Sequence, residues 1–213
     1  MSDAPRSKQF ILAVPEARAL EWIARRLPRW VKPDHLTALG VLAALAIAAA
    51  YVLSNGDKLW LWAASGLLVV HWLGDSLDGT LARVRKSERP RYGYYLDHLV
   101  DAFATAAIGI GLGLSPHMLL AVGLAIVVVY LILSINTYLE THAFGVFTLG
   151  YGRFGPTEAR LMLIGVNTLL ALGLIGNGLL DVLGIALAAA MIAALIGRAG
   201  RNLKRLAELE PAA

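Results

Sequence analysis

The sequence predicts an all-α integral membrane protein: six transmembrane helices preceded by an amphipathic interfacial helix, with both termini cytoplasmic. Three observations predict it. Of 213 residues, 58% are hydrophobic and 16% charged, against about 25% charged in an ordinary soluble domain. The deficit is concentrated: His35–Gly56, Leu59–Gly74, Ala102–Leu139, Leu161–Leu180 and Val182–Gly197 contain no Asp, Glu, Lys or Arg. The cations gather in alternate connections between these tracts. A membrane helix needs about 20 apolar residues, so Ala102–Leu139 holds two, broken around Gly111, Gly113, Ser115 and Pro116. A soluble bundle, whose core helices run to about 10–14 apolar residues, does not account for five such tracts. The alternating pattern of a membrane barrel is absent.

Taken in order, residues 1–13 read as a loose tail. Pro15 to Trp30 reads as an amphipathic helix, with Ala17, Leu20, Trp22, Ile23 and Leu27 on one face and Arg18, Arg25, Arg26 and Arg29 supplying charge. Such a helix lies in the membrane interface, where its simplest role is that of an anchor. Pro33, Asp34 and Thr37 open the first span. The six spans are expected near 34–54, 59–82, 93–113, 117–139, 158–176 and 179–198. Short loops at Ser54–Lys58, Leu112–His117 and Gly176–Gly178 mark one side; the longer Val84–Tyr92 and Glu140–Pro156 connections mark the other.

Of the 19 Lys and Arg residues, Lys58 alone falls on the short-loop side. The rest precede the first span, follow the last, or lie around the second and fourth connections. By the positive-inside rule, those segments and both termini are cytoplasmic. The net charge of +4 therefore reads as topology and attraction to anionic lipid, with no nucleic-acid partner implied. No cleavable signal peptide is visible, and without cysteine no disulfide framework exists. There is no internal repeat.

The chemistry concentrates in Gly74–Asp101. Asp75 and Asp78 stand three apart at the end of the second span, and Asp97 and Asp101 four apart at the start of the third. These spacings put each pair on one helical face. The short connection makes the two spans antiparallel neighbours, so the pairs can face each other just inside the cytoplasmic surface. Ionisable groups at membrane depth are costly and are usually functional. An all-oxygen set suits Mg²⁺, Mn²⁺ or Ca²⁺ rather than zinc. Two such ions about 4 Å apart can share four carboxylates and clamp a pyrophosphate. Gly79 and Ala82 leave the backbone open to a bulky ligand, Arg83 offers a fork for phosphate oxygens, and Gly93 makes a matching gap opposite. Each glycine taken singly reads equally as helix packing. The four aspartates read as a mere solvated rim are hard to reconcile with the apolar tracts beside them.

This constellation resembles the signature of the CDP-alcohol phosphotransferase family, at Asp75, Asp78, Gly79, Ala82, Arg83, Gly93, Asp97 and Asp101. Nine residues separate Arg83 from Gly93, one more than the family's usual eight. The resemblance implies two divalent cations, Mg²⁺ or Mn²⁺, ligated by Asp75, Asp78, Asp97 and Asp101, with Asp101 also the general base. It implies that Asp75, Asp78, Gly79, Ala82, Arg83 and Gly93 hold the CDP moiety, and that the protein is a homodimer in a bacterial inner membrane, working on its cytoplasmic face. Residues 1–32 are then a cytoplasmic tail and juxtamembrane helix, 33–200 the six-helix catalytic domain, and 201–213 a second tail. The expected reaction moves a substituted phosphate group from CDP-diacylglycerol to a small polar alcohol and releases CMP. Arg153, Glu158, Arg160 and Arg198 are candidates for the acceptor.

Two alternatives follow from particular residues. Asp97-His98, with Glu140, His142 and Gly155-Pro156-Thr157-Glu158, resembles the choline and ethanolamine phosphotransferases, which join CDP-choline or CDP-ethanolamine to diacylglycerol; His98 would then assist as base. Tyr94 departs from that branch, which has an acidic residue there. Paired intramembrane carboxylates also occur in divalent-cation transporters, but the far halves of the spans offer only His71 and Asp181 to line a path.

Overall fold

The computed structural model describes residues 12–145, 155–176 and 178–210. Among these residues the chain forms seven helices and no strand: α1 (Ala13–Ala24), α2 (Pro33–Leu53), α3 (Leu59–Val84), α4 (Pro90–Gly113), α5 (Leu120–Phe144), α6 (Pro156–Ala171) and α7 (Leu179–Leu209). The amino-terminal amphipathic segment and the six segments expected as spans are all helical. The helices that start at the aspartate-bearing end, α2, α4 and α6, each begin with proline. Its fixed φ suits the first helical turn, where its missing N–H would have had no partner.

The boundaries differ from expectation for identifiable reasons. α5 runs past Leu139 to Phe144 because Glu140 is neutralised by Arg198 at 2.6 Å, and it stops at Gly145, whose φ of 66° closes the helix. α7 continues to Leu209, where Arg, Lys, Leu, Ala and Glu, all strong helix formers, outnumber Gly200 and Asn202. α6 ends early, ahead of Gly173 at φ 68°. α1 is shorter than Pro15–Trp30 and ends at Ala24, four residues ahead of Pro28.

By length and composition α2, α4, α5 and α7 are able to cross a membrane. α6, at 16 residues, is only about 24 Å long, and α3 carries His71, Asp75, Asp78 and Arg83 within its length. Along α5, Leu124, Val128, Ile132, Ile135 and Leu139 form an exposed apolar stripe. Val182, Ile185, Ile192 and Ile196 leave α7 similarly apolar on the outside. Such faces belong in hydrocarbon, and the chain is a multi-pass membrane protein.

α2 is the central element. It packs against both α3 and α4, while α3 also packs on α1 and α6, α4 on α5, and α5 on α7. The short α3–α4 connection predicted antiparallel neighbours with facing aspartates; both helices pack chiefly on α2, and Asp75 of α3 still meets Asp97 and Asp101 of α4. Close approach is permitted by missing side chains. A Cβ at Gly74 would stand 2.6 Å from the Gly40 backbone nitrogen and 2.7 Å from the Leu36 carbonyl oxygen. Gly111 lies equally tight against Ala48. The main core gathers Ile47, Tyr51, Leu61, Leu68, Leu112, Val122, Leu170 and Leu180 at the end far from the aspartates. There Tyr51 donates to Asn167 Oδ1 at 3.1 Å, and Asn167 Nδ2 donates to Ser65 at 3.3 Å, all three buried.

A smaller core joins Leu20 and Ala24 of α1 to Leu36, Leu77 and Leu81. Arg85, just past α3, donates to the carbonyls of Leu27 at 3.1 Å, Pro28 at 2.8 Å and Val31. Arg89 pairs with Asp34. Two cations read from sequence as markers of topology thus bind the α3–α4 connection to the α1–α2 connection and the first turn of α2.

Candidate active site

Asp75 sits on α3 directly after the Gly40–Gly74 contact, so the tightest helix crossing fixes its backbone. Asp97 and Asp101 lie one turn apart near the start of α4. The three offer carboxylate oxygens that all fall within 4.8 Å of one another, and each residue is partly buried. Three negative groups this close in a low-dielectric setting demand a counter-charge. Arg160 of α6 supplies part of it, donating to Asp75 Oδ2 at 2.5 Å with both side chains mostly buried. Oxygen-only donors at this spacing fit a hard divalent cation, so the residues present suit the ions the sequence implies.

Asp78 is placed differently. It stands outside that trio, its Oδ2 accepting from the Thr37 hydroxyl of α2 at 2.5 Å. From sequence Thr37 read only as part of the opening of the first span, with no sign of its bond to Asp78.

Gly79 and Gly93 are both exposed. The nearest atom to a Cβ at Gly79 would be Arg83 Nη1 at 3.5 Å, and nothing lies within 4 Å of one at Gly93. Neither glycine serves helix packing, which removes the reading that each exists for close contact. Ala82 is half-buried beside them, and Arg83 is exposed, donating to Thr80 at 3.0 Å along its own helix.

His98 Nδ1 lies 2.7 Å from the Tyr94 carbonyl and therefore carries a proton that it donates there. Its ring centroid is 4.2 Å from that of Tyr94 and 5.1 Å from that of Tyr138, and it approaches Asp97 at 3.8 Å. Beside it a cavity of about 320 Å³ is lined by Tyr94, Tyr138, Thr141, His142 and Gly145.

The predicted acceptor residues divide. Arg160 joins the aspartates. Glu158 is buried and starts α6, accepting from the Gly155 N–H at 2.9 Å, the reciprocal half of a capping box. It also accepts from the Leu12 N–H at 3.0 Å. Arg198 forms its buried pair with Glu140 between α7 and α5. Losing one partner of such a pair costs about 3–5 kcal/mol, so substitution of Arg198 reads on stability before it reads on any acceptor. Arg153 lies outside the described residues. Sequence reasoning missed Glu16 and Trp72, and read Thr157 only as part of the Gly155–Glu158 stretch; the three are hydrogen-bonded together, and partners 56 and 141 positions apart leave no local signal.

Phosphatidylinositol phosphate synthase of Cutibacterium acnes is 34% identical over 99 residues, covering 46% of this chain and 45% of that protein. Cholinephosphotransferase 1 of Danio rerio is 26% identical over 156 residues, covering 67% of this chain and 39% of that protein. The matched stretch is thus under half the length of either relative. A match to the family described as CDP-alcohol phosphatidyltransferase runs over residues 30–197, from just before α2 into α7, and on that extent the chain belongs to the CDP-alcohol phosphatidyltransferase family.

Proposed function

We propose that this protein transfers a substituted phosphate group from a CDP-linked donor, CDP-diacylglycerol in the first reading, to the hydroxyl of a small polar alcohol. The observation that carries the reading is the convergence of Asp75, Asp97 and Asp101 from two helices, beside the unfilled space at Gly79 and Gly93. Asp75, Asp97 and Asp101, with Asp78 next to them, would hold two divalent cations, Mg²⁺ or Mn²⁺; the family generally uses divalent metals. Bound there, such ions neutralise the pyrophosphate and the departing phosphate.

The chain's own residues do the rest. Gly79, Ala82 and Gly93 admit the CDP moiety, and Arg83 meets its phosphate oxygens. Asp101 accepts the proton of the acceptor hydroxyl. The hydroxyl oxygen bonds to the donor's distal phosphorus, the bond from that phosphorus to the bridging oxygen breaks, and its electron pair leaves with CMP. Attack in line with the leaving group is a matter of positioning and electrostatics.

Around this centre the proposal includes six spans, with α3 and α6 crossing as protein-lined elements, and residues 33–200 as the catalytic domain. Both termini and the site face the cytoplasm of a bacterial inner membrane, and the protein is a homodimer without nucleic-acid partners. The test is a panel assay of purified protein in detergent with Mn²⁺, each CDP donor against each alcohol, reading CMP. CMP released only when donor and acceptor are both present is expected; no release with any pair would end the reading.

A second reading has its own observation. Tyr94, Tyr138 and His142 line the cavity beside His98, and aromatic faces suit a quaternary ammonium. Two of the arginines suggested for a small polar acceptor, Arg160 and Arg198, are meanwhile paired with Asp75 and Glu140. This favours CDP-choline or CDP-ethanolamine with diacylglycerol, with His98 assisting as base. The same panel separates the two readings by which donor yields CMP.

A further inference from the structure

Helix α1 reaches the site through a single carboxylate. Glu16 Oε1 accepts from the Trp72 indole N–H at 2.7 Å and from the Thr157 hydroxyl at 2.7 Å. Trp72 precedes Asp75 by three residues on α3, and Thr157 precedes Arg160 by three on α6, one helical turn in each case. The two helices run antiparallel, so Glu16 ties them together diagonally across the Asp75–Arg160 pair, one turn from Asp75 on α3 and one turn from Arg160 on α6. A second strand of the same strap is the Leu12 N–H bond to Glu158. Leu20 and Ala24, buried against Leu77 and Leu81, hold α1 in place. All of α1 precedes the stretch that matches the family.

We propose that Glu16 is a positioning residue for phosphate transfer: by bridging Trp72 and Thr157 it sets the spacing of α3 and α6, and so the placement of Asp75 and Arg160 at the donor. This rests on the transfer-site reading above. The bonds are charge-assisted and partly sheltered, the kind that hold geometry. Catalytic groups displaced by about 1 Å lose on the order of a hundredfold in rate. α1 is then a working part of the site, beyond the anchor its amphipathic pattern suggests.

The test uses the full chain in detergent, with Mn²⁺ as probe, in two measurements: the Mn²⁺ concentration that half-saturates the rise in melting temperature, and kcat against KM for the CDP donor. Glu16→Ala is expected to raise the half-saturating Mn²⁺ about tenfold and to lower kcat about tenfold, with KM little changed, the scale of one charge-assisted bond. Glu16→Gln keeps an acceptor oxygen and should recover most of both. A merely structural strap would lower the melting temperature without Mn²⁺ and leave the half-saturation point unmoved, which would overturn the proposal. Should Glu16→Ala fail to fold, Trp72→Phe and Thr157→Val each remove one donor and are read the same way; an unmoved half-saturation in both overturns it equally. No Mn²⁺ stabilisation of the unsubstituted protein would remove the metal reading and this proposal with it, whereas normal wild-type behaviour with an unaltered Glu16→Ala removes this proposal alone.

Discussion

The two ends of the helical bundle use the same small residues for opposite purposes. At the far end Gly111 is pressed on Ala48, and Gly123 on the Gly109 carbonyl, where an added Cβ would stand at 2.7 Å. Tyr51, Asn167 and Ser65 close that end with buried hydrogen bonds. At the aspartate end, Gly79 and Gly93 face open space. The change occurs within α3: Gly74 is jammed against Gly40, and five residues later Gly79 is unobstructed. Helix packing thus stops just where the carboxylates begin. A site that admits a nucleotide needs that interruption, and the sealed end supplies the rigidity that the open end lacks.

Breaking the comparison at its sharpest point gives the largest expected effect. Gly74→Ala drives a Cβ into the backbone of α2, where no side chain can give way, and should prevent recovery of folded protein. Gly79→Leu should leave the melting temperature within about 1 °C, as for a surface change, while abolishing CDP-donor binding by calorimetry. Equal stability of the two variants would show that the two classes of glycine do not differ.

Within the open end, Asp101→Asn should lower turnover by about 10²–10⁴, the usual worth of a general base, with CDP-donor binding largely retained. Normal turnover would remove Asp101 from that role. At the sealed end, Tyr51→Phe strips Asn167 of a buried donor and should cost about 1–3 kcal/mol, read by thermal melting, with turnover per folded molecule unchanged. A loss of turnover there would couple the two ends.

The smallest effect belongs to pH. His117, in the connection after α4, is buried and lies 3.2 Å from Ser54 Oγ. Burial, and then the nearby Lys58, push its pKa below the ordinary 6.5. The folded protein therefore resists protonating a ring that the unfolded chain protonates freely. Stability is full above pH 6.5 and falls as the pH drops below that value. Melting temperatures between pH 7.5 and 5 should decline, and His117→Gln should flatten the decline; an unchanged slope would exclude His117 as its source.

Much of the site was legible because its spacing is local. Three and four residues on a helix define one face, so Asp75, Asp97 and Asp101 were visible as a group before any fold was known. Asp78 shares the spacing, yet its carboxylate turns to Thr37, which a helix with a different register would not have offered. Arg160 and Arg198 look alike in sequence, both cations near apolar tracts. One reaches the aspartates and the other a lone glutamate, because α6 packs on α3 whereas α7 packs on α5.

Hydropathy and charge by themselves determined that this chain is helical, where each apolar tract lies, and that Asp75, Asp78, Asp97 and Asp101 gather at one end. Those properties arise from residues within one or two turns of each other and from solvent preference, which any reader of the chain can sum. Only the tertiary structure decided that α3 and α4 both pack on α2, which glycines are filled and which are open, and that Glu16 reaches Trp72 and Thr157. Such facts depend on how rigid helices cross, a matter of contacts between residues far apart in the chain, and nothing in local pattern encodes them.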